Sequence, residues 1–256
     1  MRLVHRNLRD RVRAIVLGAT GCCTGAVACQ QELPPGMGHS SHSSSDSDPV
    51  DERLSYMPLV AGAEWAYVTE DADGQLSDPR EIRLEVDAQA GEGRAGFTWR
   101  EATNSSIEMV EHRLERHGQR VVQTRRKLHA ADTLWATDVF VAPGLTWVDD
   151  AWADDSGYAE SLHYRHEVHM PGDPVAEVEW RTYEYDVRDV FEPVTVPAGT
   201  FGCLRIRRTR MVGSLRGPVL ESWFARGVGI VKTFRPDEGE VRVLTAVAIP
   251  GGVVQP

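Results

Sequence analysis

The sequence predicts an all-β domain, folded as a single curved antiparallel sheet, a half-barrel or a barrel, behind a disordered N-terminal region. Three observations carry this. Eleven runs rich in Val, Ile, Thr and aromatic residues follow one another between residues 64 and 249. Gly, Pro, Asp or Asn bounds each run, as strand ends require. No long stretch repeats an apolar stripe at helical spacing.

The first element is a leader. Arg2, Arg6, Arg9, Arg11 and Arg13 stand against a single Asp10, and the uncharged run AIVLGATGCCTGAVA follows. A basic start, an apolar stretch of about fifteen residues and a small-residue cleavage site form an export signal. A spanning helix needs about twenty residues, so residues 1–28 read as a removable signal. AVAC, ending at Cys29, resembles the lipobox of bacterial lipoproteins, with Ala26 where Leu is usual. Cys29 is thus the expected lipidation site, with Cys22 (in ATGC) and a plain secretory signal as alternatives. Gln30, rather than Asp, follows Cys29, which by analogy with lipoprotein sorting points to an outer membrane. Cleavage before Cys29 leaves only Cys203 as a thiol, and a lone cysteine is more often a small buried hydrophobe than a reactive group.

The second element is a tether. Residues 30–52, QQELPPGMGHSSHSSSDSDPVDE, hold almost nothing able to fill a core and are predicted to stay disordered. Residues 29–52 then act as a lipidated flexible spacer with a reach of about 25–30 Å. His39 and His42 read as incidental members of that linker. Residues 53–256 form the β-rich body. The chain has 28 basic and 38 acidic residues; without residues 1–28, which hold five Arg and one Asp, 23 and 37 remain, a net of −14. So acidic a body is a poor nucleic-acid binder, and no nucleic-acid partner is expected.

Within the body, REIRLEVDAQA, RVVQTRRKL and AEVEWRTYEYDV are representative strands. In the last, Val178, Trp180 and Thr182 share one face, and Glu177, Glu179 and Arg181 the other. The segment SSIEMVEHRLERHG supports two readings. Ile107, Val110 and Leu114 have helical spacing, with Ser105 and Glu108 as a capping box; the β context favours a hairpin turning at His117-Gly118. The basic run Arg205, Arg207, Arg208 and Arg210 reads as a solvated strand face. LVAGAEW and VAPGLTW each place Gly three residues before Trp, at Gly62/Trp65 and Gly144/Trp147, as if a Gly turned the chain into a strand whose Trp roofs the core.

Tyr56 to Trp65 (Y-x-P-L-x-x-G-x-x-W), VPAGTF (Val196 to Phe201) and ESWFARGVGIVK (Glu221 to Lys232) resemble uncharacterised bacterial envelope lipoproteins with a β-rich domain of unknown function (TapB-like). Those proteins carry Trp-Tyr before the GVG, where this chain has Trp223-Phe224. The resemblance spans roughly residues 55–248. It implies a curved antiparallel sheet or half-barrel similar to lipoprotein carriers, and implies no catalytic residues. From the residues themselves, Pro197 cannot donate to a ladder and belongs at a strand start, edge or bulge. Gly199, Gly227 and Gly229 suit tight connections. Trp65, Phe201, Trp223 and Phe224 become core or ligand-groove aromatics.

Chemical motifs are sparse. GEGRAG (Gly91 to Gly96) has dinucleotide-loop spacing but precedes the strand-like FTWRE, not a helix, so a hairpin turn is expected. His163, His166 and His169 are candidate metal ligands, yet on a strand His163 and His169 lie about 20 Å apart and His166 faces away. The acidic turns at Asp71 and Asp73 and at Asp149, Asp150, Asp154 and Asp155 lack EF-hand spacing. No G-x-S-x-G occurs. The expected function is a lipid-anchored, non-enzymatic envelope lipoprotein binding a hydrophobic ligand or a protein partner, with no cofactor. A metal-assisted envelope hydrolase and a structural envelope component are the alternatives.

Overall fold

The computed structural model describes residues 54–70, 76–86, 96–103, 108–130 and 133–251, all inside one compact unit, Ser47–Pro256. The leader, Cys22, Cys29, the tether with its histidines, Asp71, Asp73, residues 91–95 of GEGRAG and Ser105 lie outside the described residues.

The described chain is a meander of strands. In order they are β1 (Glu64–Glu70), β2 (Leu76–Val86), β3 (Gly96–Thr103), β4 (Glu108–His117), β5 (Arg120–Ala130), β6 (Thr133–Phe140) and β7 (Leu145–Asp149), then, after a 3₁₀ turn (Asp150–Asp154), β8 (Ala159–His169), β9 (Glu177–Val196), β10 (Gly199–Val212), β11 (Leu215–Ala225), β12 (Gly229–Arg235) and β13 (Glu240–Ala248). Residues 108–117 are extended, so the hairpin reading holds and the helical spacing of Val110 and Leu114 is incidental.

Successive strands pair antiparallel except at β7, which pairs back with β5 while β6 pairs with β8, and β13 returns to β1, with Trp65 opposite Val247. The result is a closed 12-stranded barrel. β6 and β7 count as one interrupted strand. β5 pairs with β6 through Arg125–Ala130 and with β7 through Arg120–Gln123. Single-residue register shifts recur around the wall, for example at Ala66/Tyr67, Arg113/Leu114 and Trp223/Phe224. Such bulges raise local twist and let a wide sheet curl into closure.

β7 pairs with β5 but not with β8, and side chains close that seam. The Tyr164 hydroxyl accepts from the Thr146 backbone N–H (3.3 Å) and donates to its Oγ1 (3.1 Å), while the Tyr185 hydroxyl donates to the Thr146 carbonyl (2.9 Å). Both tyrosines are fully buried, where unpaired backbone groups would be costly.

One end of the barrel is shut. Residues 54–60 cross it, burying Tyr56, Met57 and Leu59. Arg116 donates to Ser55 Oγ (2.7 Å) and the Met57 carbonyl (2.9 Å), and Asp150 accepts from the Tyr56 N–H (2.9 Å). β1, β3, β5, β8, β10 and β12 run toward the opposite end, which is the mouth.

The outer wall is charged. Glu64 faces Arg83 (3.7 Å), Arg100 pairs with Glu85 (2.9 Å) and Glu111 (3.0 Å), and Arg188 pairs with Asp186 (2.7 Å). A lipid-facing wall is apolar, each Lys or Arg at its middle costing about 2–4 kcal/mol. This barrel therefore does not span a bilayer with its strands.

Candidate functional site: the barrel cavity

Twelve strands enclose more space than side chains fill, and a cavity of about 310 Å³ remains inside. Its inner part is aromatic. Trp99 packs between Trp65 (ring centroids 4.7 Å) and Trp147 (5.5 Å). The Gly-x-x-Trp pairs thus deliver Trp65 and Trp147 to the same cluster. Trp147 Nε1 donates to Gln123 Oε1 (2.9 Å), Trp65 Nε1 to the Val228 carbonyl (2.6 Å) and the Tyr67 hydroxyl to the Ile230 carbonyl (2.7 Å). Burial holds the Tyr67 and Tyr185 phenols far above their ordinary pKa, so both remain neutral hydrogen-bonding groups.

Toward the mouth the lining turns basic. Arg126, Arg181, Arg208, Arg235 and Arg242 face the cavity, with Glu101 as the carboxylate. Arg242 meets Glu101 at 3.2 Å, Arg235 meets Glu240 at 3.3 Å, Arg126 donates to Asp138 at 2.6 Å, and Arg181 pairs with Glu179. His112 lines the wall edge-on to Trp147 (5.4 Å). Burial, reinforced by the Arg126 and Arg242 charges and opposed by Glu101, lowers its pKa to about 4.

His166 is buried on the mouth side of Tyr164, its Nε2 3.1 Å from Asp138 Oδ1 and its Nδ1 3.1 Å from Glu179 Oε1. Burial alone would raise the Asp138 pKa. Hydrogen bonding from His166 and the Arg126 charge outweigh it and leave the carboxyl below its ordinary value. Glu179 is lowered likewise, desolvation being overcome by Arg181, His166 and Arg210. A carboxyl lowered on folding adds stability that is complete above its unfolded value, about 4, and is lost as pH falls through the folded value. Asp138→Asn should destabilise the protein by about 1.5–3 kcal/mol near pH 7, since Arg126 loses its carboxylate partner and His166 a charged hydrogen-bond partner. Urea unfolding of both forms at pH 7 and pH 3 checks this, with the gap narrowing at pH 3.

The other sequence candidates separate. Phe224 lines the cavity and Phe201 is core. Trp65 lies behind Trp99. Trp223 points the other way from Phe224 and is covered by Arg205 (5.0 Å) and Lys232 (5.1 Å) over its ring, so it is not a groove residue. Pro197 and Ala198 form the β9–β10 turn, followed by Gly199 at φ 139; Gly227 (φ 69) and Gly229 (φ 97) hold the β11–β12 turn. Gly229 is needed for its φ, and a Cβ there would sit 3.3 Å from Trp65 Nε1, a tight contact beside that indole's hydrogen bond.

His163, His166 and His169 are not brought together. His163 and His169 stand on the outer wall, bonded to Thr182 and Glu167, while His166 points inward. Among the described residues no three His, Cys, Asp or Glu side chains are grouped to hold a metal. Cys203 is buried, and desolvation pushes its thiol up to about 12, a state without nucleophilic thiolate.

The solvated-face reading of the basic run is corrected. Arg205 and Arg207 point outward, but Arg208, two residues from the buried Ile206, enters the cavity. Similarly, Val178 and Trp180 are the outer face of β9, with Trp180 72% exposed, while Arg181, Tyr183 and Tyr185 face in. The signal that finds Arg208 is strand parity with Ile206.

No protein-family model and no curated protein matches the chain. It is similar to two solved structures, over 76% of its own length and 99% of theirs. One is a protein described as exported, with a YmcC-like fold, from Bacteroides fragilis NCTC 9343, 12% identical with a TM-score of 0.47. The other is a protein described as a lipoprotein from Parabacteroides distasonis ATCC 8503, 13% identical with a TM-score of 0.44.

Proposed function

We propose that this chain is an exported, lipid-anchored envelope lipoprotein without catalytic activity, whose barrel carries a hydrophobic ligand in its cavity. The observation that carries this is the cavity of about 310 Å³, open at the mouth, inside the 300–1,000 Å³ range of small-molecule sites and apolar at its inner end. The leader with Cys29, and the likeness to TapB-like envelope lipoproteins, support the anchor. Gln30 supports delivery to an outer membrane. A protein partner is a second reading, favoured by Val175, Val178, Trp180 and Leu215, exposed near the mouth on β9, β11 and the turn before β9.

Native mass spectrometry of the protein purified from intact cells tests both parts. The mature chain is expected to begin at an acylated Cys29 and to carry a small apolar passenger. Cys29→Ala should remove the acyl group and keep the passenger. An unacylated start elsewhere in both forms would sink the anchor. A bound polypeptide in place of the small molecule would favour the second reading.

A further inference from the structure

The charge in the cavity is opposite in sign to that of the protein. The chain is −10 overall, yet five arginines and one glutamate line the cavity. Four of those arginines meet carboxylates of Asp138, Glu179, Glu101 or Glu240. Arg208 meets none among the described residues. Its guanidinium carbon lies 5.5 Å from the centre of the Tyr183 ring.

The position of Arg208 sets the polarity of a ligand. In register it stands opposite Tyr185 on β9 and Leu220 on β11, both cavity-lining. Inward from it lie Ile206, Phe224 and Trp99. A ligand filling this space would have its apolar part against those side chains and its polar part at the guanidinium. His112 Nδ1, in the opposite wall, has no hydrogen-bond partner among the described residues.

A neutral occupant would strip water from Arg208 and return no charge, a costly arrangement for a guanidinium. A cationic one would be repelled. A carboxylate or phosphate oxygen gives charge-assisted hydrogen bonds, for which the planar fork is suited. The cavity is also small for a ligand site, with room for one chain and not for a diacyl lipid.

From this we infer that the barrel binds a single-chain amphiphile with an anionic head, carboxylate or phosphate, held by Arg208 with its tail among the inner aromatics. The inference rests on the carrier reading and adds the chemical class of the ligand.

The test uses the purified protein, exchanged out of detergent over a hydrophobic resin, and four probes that share a twelve-carbon chain: dodecanoate, dodecyl phosphate, dodecanol and dodecyltrimethylammonium. Tryptophan fluorescence reports occupancy, since Trp99 and Trp147 line the cavity. Dodecanoate or dodecyl phosphate should bind at least about tenfold tighter than dodecanol, the worth of one charged hydrogen bond, and the tighter of the two identifies the head group. Arg208→Gln should remove that advantage and leave dodecanol affinity unchanged, and Arg208→Lys should restore part of it. An unchanged melting temperature in Arg208→Gln assigns the loss to binding. Equal binding of dodecanol and both anions, or no effect of Arg208→Gln, overturns the anionic head while the carrier reading stands. No binding of any probe overturns both. Acetate or inorganic phosphate binding as tightly as its dodecyl counterpart overturns the role of the tail.

Discussion

Trp65→Ala should lower unfolding free energy by about 3–5 kcal/mol, the cost of removing a large aromatic from a packed core. Trp65 is 2% exposed, its ring lies 4.7 Å from Trp99, and its Nε1 donates to the Val228 carbonyl at 2.6 Å. The substitution therefore removes buried area, one partner of the tryptophan cluster, and the hydrogen bond that ties β1 to the β11–β12 turn. Trp65→Phe separates these effects. It retains much of the area but leaves the Val228 carbonyl without its donor, a loss of about 1–3 kcal/mol. Urea midpoints with unchanged m-values measure both. A loss below about 1 kcal/mol for the alanine form would mean that Trp65 is not a keystone of the closed end.

The second large effect is on pH dependence, through His112. Its folded pKa is about 4, and that of an unstructured histidine is about 6.5. Below 6.5 the unfolded chain binds a proton that the folded barrel refuses, so stability rises with pH across this window. The contribution is complete above about pH 6.5 and is lost as pH falls toward 4, on the order of 3 kcal/mol in total. Arg126 and Arg242 deepen the effect and Glu101 opposes it. His112→Phe, beside Trp147, should flatten the slope between pH 6.5 and 4.5 while leaving the acid loss from Asp138 and Glu179, which sets in near and below pH 4. An unchanged slope in the variant would place the titration elsewhere.

Much of the wall is legible in the residues. REIRLEVD alternates, and Ile82 and Leu84 do turn inward while Glu81 and Arg83 turn out. Gly62 and Gly144 precede Trp65 and Trp147 as turn residues, and both tryptophans reach Trp99. What alternation cannot give is which face is inside when the interior is itself polar. On β9 the apolar parity, Val178 and Trp180, is the outer one, because near the mouth the inner positions hold Arg181 and tyrosines. The same ambiguity hides Arg208 within a run of arginines. Closure is also illegible locally, since it joins β1 to β13 across most of the chain and depends on bulges distributed around the wall.

A hoop can have its lacing lapse along part of a joint, and here β6 keeps its rungs to β8 while β7 has none. The β7 part of the joint is fastened by two buried phenols on Thr146, and losing either would leave a buried polar group unsatisfied. That stretch of wall is therefore held by side chains, which a substitution can remove, where a ladder of main-chain bonds could not be removed so.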